Sequence, residues 1–279
     1  MEAGLQRRVQ RYGWDLAAPR YEPLWRSQLA PAVAKVMACA SPASGERVLD
    51  VACGTGLAAL AAAQAVGPTG RVLGIDLSGR MIDAARSRAE ELDASNAVFA
   101  RMDAEDLDLS DAGFDVVLCA LGLMYMPNPR QAVREMRRML RPGGRMTIAV
   151  WGEQSLCGWS ALFSIVDAEV ASEVCPTFFR LGRMDTLAKL CAEARFDAIE
   201  QHRIAATLDY ADADAACQAA FLGGPVALAW SRFDSKVRAR VCRRYIEAIE
   251  PFRHERGYRV PGEFVVVSAI APRVFAEAA

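Results

Sequence analysis

Histidine is nearly missing from this chain, with His202 and His254 alone in 279 residues, and neither clusters with any of the eight cysteines. No C-x-x-C pair occurs, so zinc and iron–sulfur centres lack a ligand set and no metal is expected. An excess of charge is missing as well: 33 Lys and Arg against 34 Asp and Glu leave −1. No global field therefore draws the chain to nucleic acid or to an anionic membrane, although arginine is dense between Arg232 and Arg259. No stretch reaches the roughly 18 uninterrupted apolar residues of a membrane span, and the first residues, Met1 to Arg8, lack the apolar core of a signal peptide. The expectation is a cytoplasmic protein with reduced, mostly buried thiols.

What is present is enough apolar content, 53%, to bury a full core. From Glu46 to Trp151 short β-branched runs alternate with amphipathic helical patterns, which predicts βαβ units around a parallel sheet. Strands are read at Arg47–Ala52, Arg71–Asp76, Ala97–Arg101, Phe114–Leu121 and Arg145–Trp151, each apolar enough to be buried on both faces. After Ser78, a plausible N-cap, Met81, Ile82, Ala85, Ala89 and Leu92 fall at helical spacing. Asn128-Pro129 opens another helix, which should end at Arg141-Pro142-Gly143-Gly144. Beyond Trp151 the alternation breaks down into helical segments near 160–170, 184–194 and 212–250, with strands at 198–208 and 263–270.

The most informative segment is Val48-Leu49-Asp50-Val51-Ala52-Cys53-Gly54-Thr55-Gly56, in which a buried strand runs through an acid into a glycine turn that opens the helix starting at Leu57. This order lets backbone approach a ligand closely at the carboxyl end of a parallel strand. A dinucleotide fingerprint would want a third glycine where Ala59 stands, so a nucleotide-cofactor oxidoreductase is the alternative reading.

Residue by residue, Asp50, Ala52, Gly54 and Gly56 resemble the first motif of class I S-adenosylmethionine (SAM) methyltransferases. Asp76 after the second strand, Asp103-Ala104 after the third, and Phe114 to Pro127 around the fourth fall in the same register over about 46–151. The pattern is most similar to the small-molecule branch that includes menaquinone and ubiquinone C-methyltransferases.

The resemblance implies a Rossmann-like, doubly wound α/β fold: a seven-stranded, mostly parallel sheet with an antiparallel last strand, plus a helical cap. A single domain over 1–279 is expected, its core at about 43–151 and its cap drawn from about 1–42, 152–183 and 210–261. It implies SAM as cofactor, with the turn of Ala52, Gly54, Thr55 and Gly56 beside the methionine moiety and Asp50 beneath it. Asp76 would take the ribose hydroxyls, Leu77 and Met81 one adenine face, Asp103 and Ala104 the adenine edge, and Ala120 the methionine part again. Tyr21 is the candidate for a lid tyrosine, and Tyr125 and Trp151 for the acceptor pocket together with Met124 and Met126. Tyr125 and His254 are the candidates for a catalytic role, although alignment of the acceptor can suffice without a base. Glu105 and Asp106 read as solvated loop acids, and Arg238, Arg240, Arg243 and Arg244 as an ordinary solvated helix face. The implied reaction is in-line methyl transfer to carbon, oxygen or nitrogen of a small molecule; a non-catalytic SAM binder is a further alternative. No nucleic-acid partner is expected, and the oligomeric state is left open, with a homodimer among the options.

Overall fold

The computed structural model describes residues 3–170, 175 and 178–273. In chain order its elements are α1 (Ala3–Ala40), β1 (Arg47–Val51), α2 (Leu57–Val66), β2 (Arg71–Asp76), α3 (Gly79–Glu91), β3 (Ala97–Arg101), β4 (Phe114–Ala120), α4 (Pro129–Met139), β5 (Leu140–Trp151), α5 (Ala161–Asp167), α6 (Thr186–Glu193), β6 (Asp197–Tyr210), α7 (Ala213–Leu222), α8 (Ala227–Arg232), α9 (Ser235–Ile249), β7 (Arg253–His254) and β8 (Gly257–Ile270). The strands form one sheet in the order β3-β2-β1-β4-β5-β8-β6, with the two-residue β7 hairpinned onto β8. β1 to β5 are mutually parallel where they pair, and β8 inserts antiparallel between β5 and β6. The strand order reverses between β1 and β4, and the crevice outside the carboxyl ends at such a reversal is where open α/β sheets take ligands.

Local chemistry explains the boundaries. Ser78 caps α3 by accepting from Met81 N at 3.1 Å, and Asn128 caps α4 by accepting from Gln131 N at 3.1 Å, with Pro129 at the first helical position. Val48, Leu49 and Val51 on β1 and Val116, Val117 and Leu118 on β4 are buried, as strands covered on both faces must be. α4 ends at Met139 rather than in the Arg141–Gly144 turn, because Leu140 already pairs with Phe114 before a register shift brings Arg145 opposite Val116. β8 starts at Gly257, so 257–261 belong to the sheet and not to the cap; Arg259 and Pro261 interrupt the apolar run there. The eighth strand, β7, is likewise an addition to the seven expected.

α1 is a 38-residue helix carrying Pro19, Pro23 and Pro31. Each proline removes one backbone donor from the ladder, yet the helix persists because it packs along α2, α3, α7 and α8 and on β4, β5, β6 and β8. α7 and α8 pack against it, and α7 also rests on β6 and β8. Residues 1–2, 171–174 and 176–177 of the expected cap, and 274–279 of the expected domain, lie outside the described residues.

Candidate functional site

The turn after β1 is built from left-handed backbone. Ala52, Gly54 and Gly56 have φ of 56°, 54° and 85°. Glycine adopts this region freely, whereas alanine there costs roughly 1–2 kcal/mol. Cys53 N donates to Ile75 O at 2.9 Å and Gly56 N to Cys53 O at 2.9 Å, which ties the turn to β2 and closes it onto α2. Leu121, at the end of β4, is also left-handed, with φ 65°. Its neighbour Gly122 lies so close to Ala52 that a Cβ there would stand 2.4 Å from the Ala52 Cβ. The carboxyl ends of β1 and β4 thus meet through small side chains, and the strain sits where the strand order reverses, as strained backbone at binding sites tends to.

Beside this turn opens a cavity of about 1000 Å³, its mouth included. Asp50 reaches it from β1 with only 1% of its surface exposed, and neither carboxylate oxygen makes a well-formed hydrogen bond among the described residues, the backbone N–H of Ala59 offering only a partial offset to burial. Burial pushes its pKa up to about 8, with the neighbouring Asp76 adding to the rise. Asp76, at the end of β2, accepts from Gly54 N at 2.9 Å and from Ser78 N at 2.8 Å. Burial raises it to about 6, against the pull of those backbone bonds. Each carboxylate oxygen of Asp76 keeps a further lone pair for a ligand.

At the end of β3, Asp103 accepts from Glu105 N at 2.9 Å and pairs with the Arg7 guanidinium at 2.9 Å. Glu105 is not the solvated acid expected from sequence. It is buried, accepts from Asn128 N at 2.8 Å and is held by Arg7 of α1. α1 therefore forms one wall of the cavity through Arg7, Gln10, Trp14 and Tyr21. Its seat is fixed by Asp15, which accepts from Ser78 Oγ at 2.6 Å, and by Glu22, which pairs with Arg88 at 3.0 Å. The Tyr21 phenol is pushed well up, by burial first and then by the charges of Asp76 and Glu22.

Of the sequence-derived candidates, Tyr21, Asp50, Ala52, Gly54, Asp76, Leu77, Met81, Asp103, Ala104, Ala120 and Tyr125 all line this one cavity. Thr55 and Gly56 do not. Thr55 is buried with its hydroxyl unpartnered, and Gly56 caps α2 with the ring of Phe99 3.3 Å from where its Cβ would stand. Met126 lines the cavity, whereas Met124 is buried in the core. His254 lies elsewhere, exposed on β7 in a surface hollow with Asp209 and Arg256. Arg238 stacks over the Trp230 ring and Arg240 pairs with Glu169, so that helix face is only partly free in solvent.

A second chamber of about 430 Å³ adjoins the first and shares the wall of Trp14, Tyr21, Leu29, Leu121 and Tyr125 with it. Trp151 belongs to this annex rather than to the main cavity, beside Trp25, Trp159, Phe178 and Ala220. The rings interlock edge to face: Trp151 meets Trp159 at 4.7 Å, Tyr125 meets Trp14 at 5.0 Å, and Tyr125 meets Phe178 at 5.4 Å. Among the described residues lining the annex none carries a carboxylate, amine, guanidinium, imidazole or thiol. The Tyr125 phenol is driven well above its ordinary range by burial, with Cys175 and Tyr21 adding to it.

The two chambers divide the chemistry. The first offers buried acids and small residues, which suit a cationic ligand with hydroxyls and a heterocycle; the second offers aromatic faces for an apolar ring. Among the described residues no group of metal-ligating side chains is found, and no helix is long and apolar enough to cross a membrane.

Comparison with known proteins agrees with this geometry. Residues 42–212 match a family model described as a methyltransferase domain. The chain is 35% identical over 120 residues to a demethylmenaquinone methyltransferase of Listeria welshimeri, a match spanning 43% of this chain and 51% of that protein. It is 31% identical over 176 residues to the ubiquinone/menaquinone biosynthesis C-methyltransferase UbiE of Pseudomonas fluorescens, spanning 58% of this chain and 69% of that one. The chain thus spans about half to two thirds of the length of these relatives. In fold it is similar to the YcgJ protein of Bacillus subtilis, with a TM-score of 0.61 at 18% identity, covering 87% of this chain and 99% of that one. It is also similar to a Haemonchus contortus phosphoethanolamine N-methyltransferase 2 solved with S-adenosyl-L-methionine, with a TM-score of 0.60 at 16% identity, covering 92% and 57%. A glycine turn under strain, buried acids on successive strand ends, and a family match over well over half of the sequence lead to one assignment: this chain belongs to the methyltransferase-domain family of enzymes.

Proposed function

We propose that this chain transfers a methyl group from SAM to a small, apolar, planar acceptor. The observation that carries the reading is the junction of the two chambers: an acid-lined cavity opens through a shared wall of Trp14, Tyr21 and Tyr125 into an aromatic annex. SAM fits the first chamber on chemical grounds. Its ammonium suits the buried Asp50 carboxylate, its ribose the free lone pairs of Asp76, and its adenine edge Asp103, with Leu77 and Met81 against the ring. When bound, SAM supplies a sulfonium-activated methyl group open to displacement.

The residues of the chain do the rest by placement. Ala52, Gly54 and Gly122 keep the floor at the β1 and β4 ends low enough for a ligand to lie against backbone. Tyr21 and Tyr125 remain protonated at neutral pH, because burial raises both phenols; they wall the reacting region and exclude water rather than withdraw a proton. The acceptor therefore brings its own nucleophilic electron pair, and orientation is the main source of rate, up to roughly 7–11 kcal/mol in favourable cases. The quinone-related acceptors named for the relatives are planar and apolar in this sense, which supports the same class here.

The test is methyl transfer from isotopically labelled SAM to a panel of naphthols, phenols, alkylamines and phosphoethanolamine, with thermal shifts by SAM and by NAD measured alongside. Labelled naphthol or phenol products and a shift with SAM alone are expected. Stabilisation by NAD alone, or transfer confined to the amines, would overturn the reading.

A further inference from the structure

The first chamber is ringed by Asp50, Asp76, Asp103 and Glu105, and among the described residues lining it Arg7 is the one cation. The Arg7 Nε pairs with Asp103 Oδ2 at 2.9 Å, and its Nη2 with Glu105 Oε2. The other oxygen of each acid is committed to backbone: Asp103 Oδ1 accepts from Glu105 N at 2.9 Å, and Glu105 Oε1 from Asn128 N at 2.8 Å. One side chain of α1 thus ties together the end of β3, the loop after it and the cap of α4.

The two ion pairs do different work. The Glu105 side chain keeps only 3% of its surface exposed, so its charge needs the partner that Arg7 supplies. The side chains of Asp103 and Arg7 keep 32% and 34% exposed, and a pair so open to water adds little to stability. What the second pair provides is orientation. Asp103 is held at both oxygens, and each oxygen keeps a lone pair for a donor on a ligand in the chamber. The planar fork of a guanidinium reaches two carboxylates at once, which the point charge of a lysine does less well.

We propose that Arg7 is a positioning residue for the methyl donor: by bridging Glu105 and Asp103 it fixes the Asp103 carboxylate to accept from the exocyclic amino group of adenine. This rests on the reading of the first chamber as the SAM site. It goes further in making recognition of the base depend on α1, which lies outside the alternating strands and helices that supply the acids. A purine without the amino group would cover the oriented carboxylate and leave it without a donor. A site built to hydrogen-bond a ligand group rejects the analogue lacking it for that reason.

The experiment compares adenosine with purine riboside, two nucleosides that differ by the 6-amino group, as competitors of S-adenosylhomocysteine on the full chain. The natural protein is expected to favour adenosine about 10-fold. Arg7→Met keeps an aliphatic stem and removes the guanidinium, and the preference should fall to about 2-fold or less. If Arg7 served only to seat α1, both nucleosides would weaken together; an undiminished ratio in Arg7→Met, or no preference in the natural protein, overturns the proposal. Should the variant fold poorly, the Arg7 Nε ¹⁵N–¹H signal of the natural protein decides. Movement of that signal with adenosine but not with purine riboside is expected, and identical responses to the two would contradict the proposal. Calorimetry with S-adenosylhomocysteine alone separates the two levels: no uptake would sink the methyltransferase reading, whereas uptake without a preference for adenosine would sink only this one.

Discussion

The two chambers share a wall and differ in almost everything else. The cofactor-side cavity takes Asp50, Asp76 and Asp103 from the ends of β1, β2 and β3, within 54 residues of sequence, and adds Arg7 and Gln10 from α1. The annex takes its rings from α1, from Tyr125 beyond β4, from Trp151 at the end of β5 and from Trp159 and Phe178 in the loops, with Leu162 of α5 and Ala220 of α7 filling between them. Charge and backbone geometry define the first; shape and aromatic faces define the second. One half of the site is thus made by a local chain pattern that the sheet delivers to a common edge, and the other by packing among distant segments.

That contrast can be broken by mutation. The largest effect is expected at Asp76. Asp76→Asn removes the charge that holds Gly54 N and Ser78 N and that would bind the ribose, and hydrogen bonds to charged groups contribute about 1.5–3 kcal/mol each. SAM affinity should fall about 100-fold by calorimetry, while binding of 1-naphthol to the annex changes little. The converse substitution, Ala220→Leu, fills the annex from α7 at a cost of about 1–3 kcal/mol of overpacking. The acceptor Michaelis constant should then rise about 10-fold with S-adenosylhomocysteine binding unchanged. Equal losses of both ligands in either variant would show that the two chambers are not separate.

The buried acids sharpen the comparison through pH. The Asp50 pKa stands at about 8 in the folded chain against an ordinary 3.8, so the folded protein holds a proton that the unfolded chain has lost. Stability of the ligand-free protein should therefore fall as pH rises between about 4 and 8, as read by chemical denaturation. Asp50→Asn should remove most of that slope, while nothing lining the annex contributes to it. The smallest effect is expected at Ala52, whose φ of 56° suits glycine: Ala52→Gly should raise stability by about 1 kcal/mol, as read by chemical denaturation.

Sequence made the first chamber legible because parallel buried strands and capped helices leave signals at fixed offsets. Asp50, Asp76 and Asp103 each follow an apolar run and precede a turn, so register alone brought them together. The same logic misjudged Glu105, since its burial depends on Arg7, 98 residues away, and on the fold of α1 over the strand ends. It also assigned Thr55 and Gly56 to the ligand, whereas neither lines the cavity: Gly56 closes the turn onto Cys53 and Thr55 is buried beside it. Trp159 and Ala220 carried no spacing signal because tertiary packing, not chain proximity, brings them to the same chamber. Tyr125 and Trp151 were found by their place just beyond β4 and at the end of β5, while His254, singled out for its chemistry, is carried away from the cavity by the β7–β8 hairpin.

The central claim is that the buried acids beside the β1 turn hold the cationic methyl donor, and titration calorimetry of the natural protein with SAM tests it most directly. Run at pH 7 in two buffers of different ionisation enthalpy, it should show binding at one site per chain. A large part of one proton should be released as the ligand's ammonium draws Asp50 into its charged form. Absence of binding to folded protein, or binding with no proton release, would contradict the account.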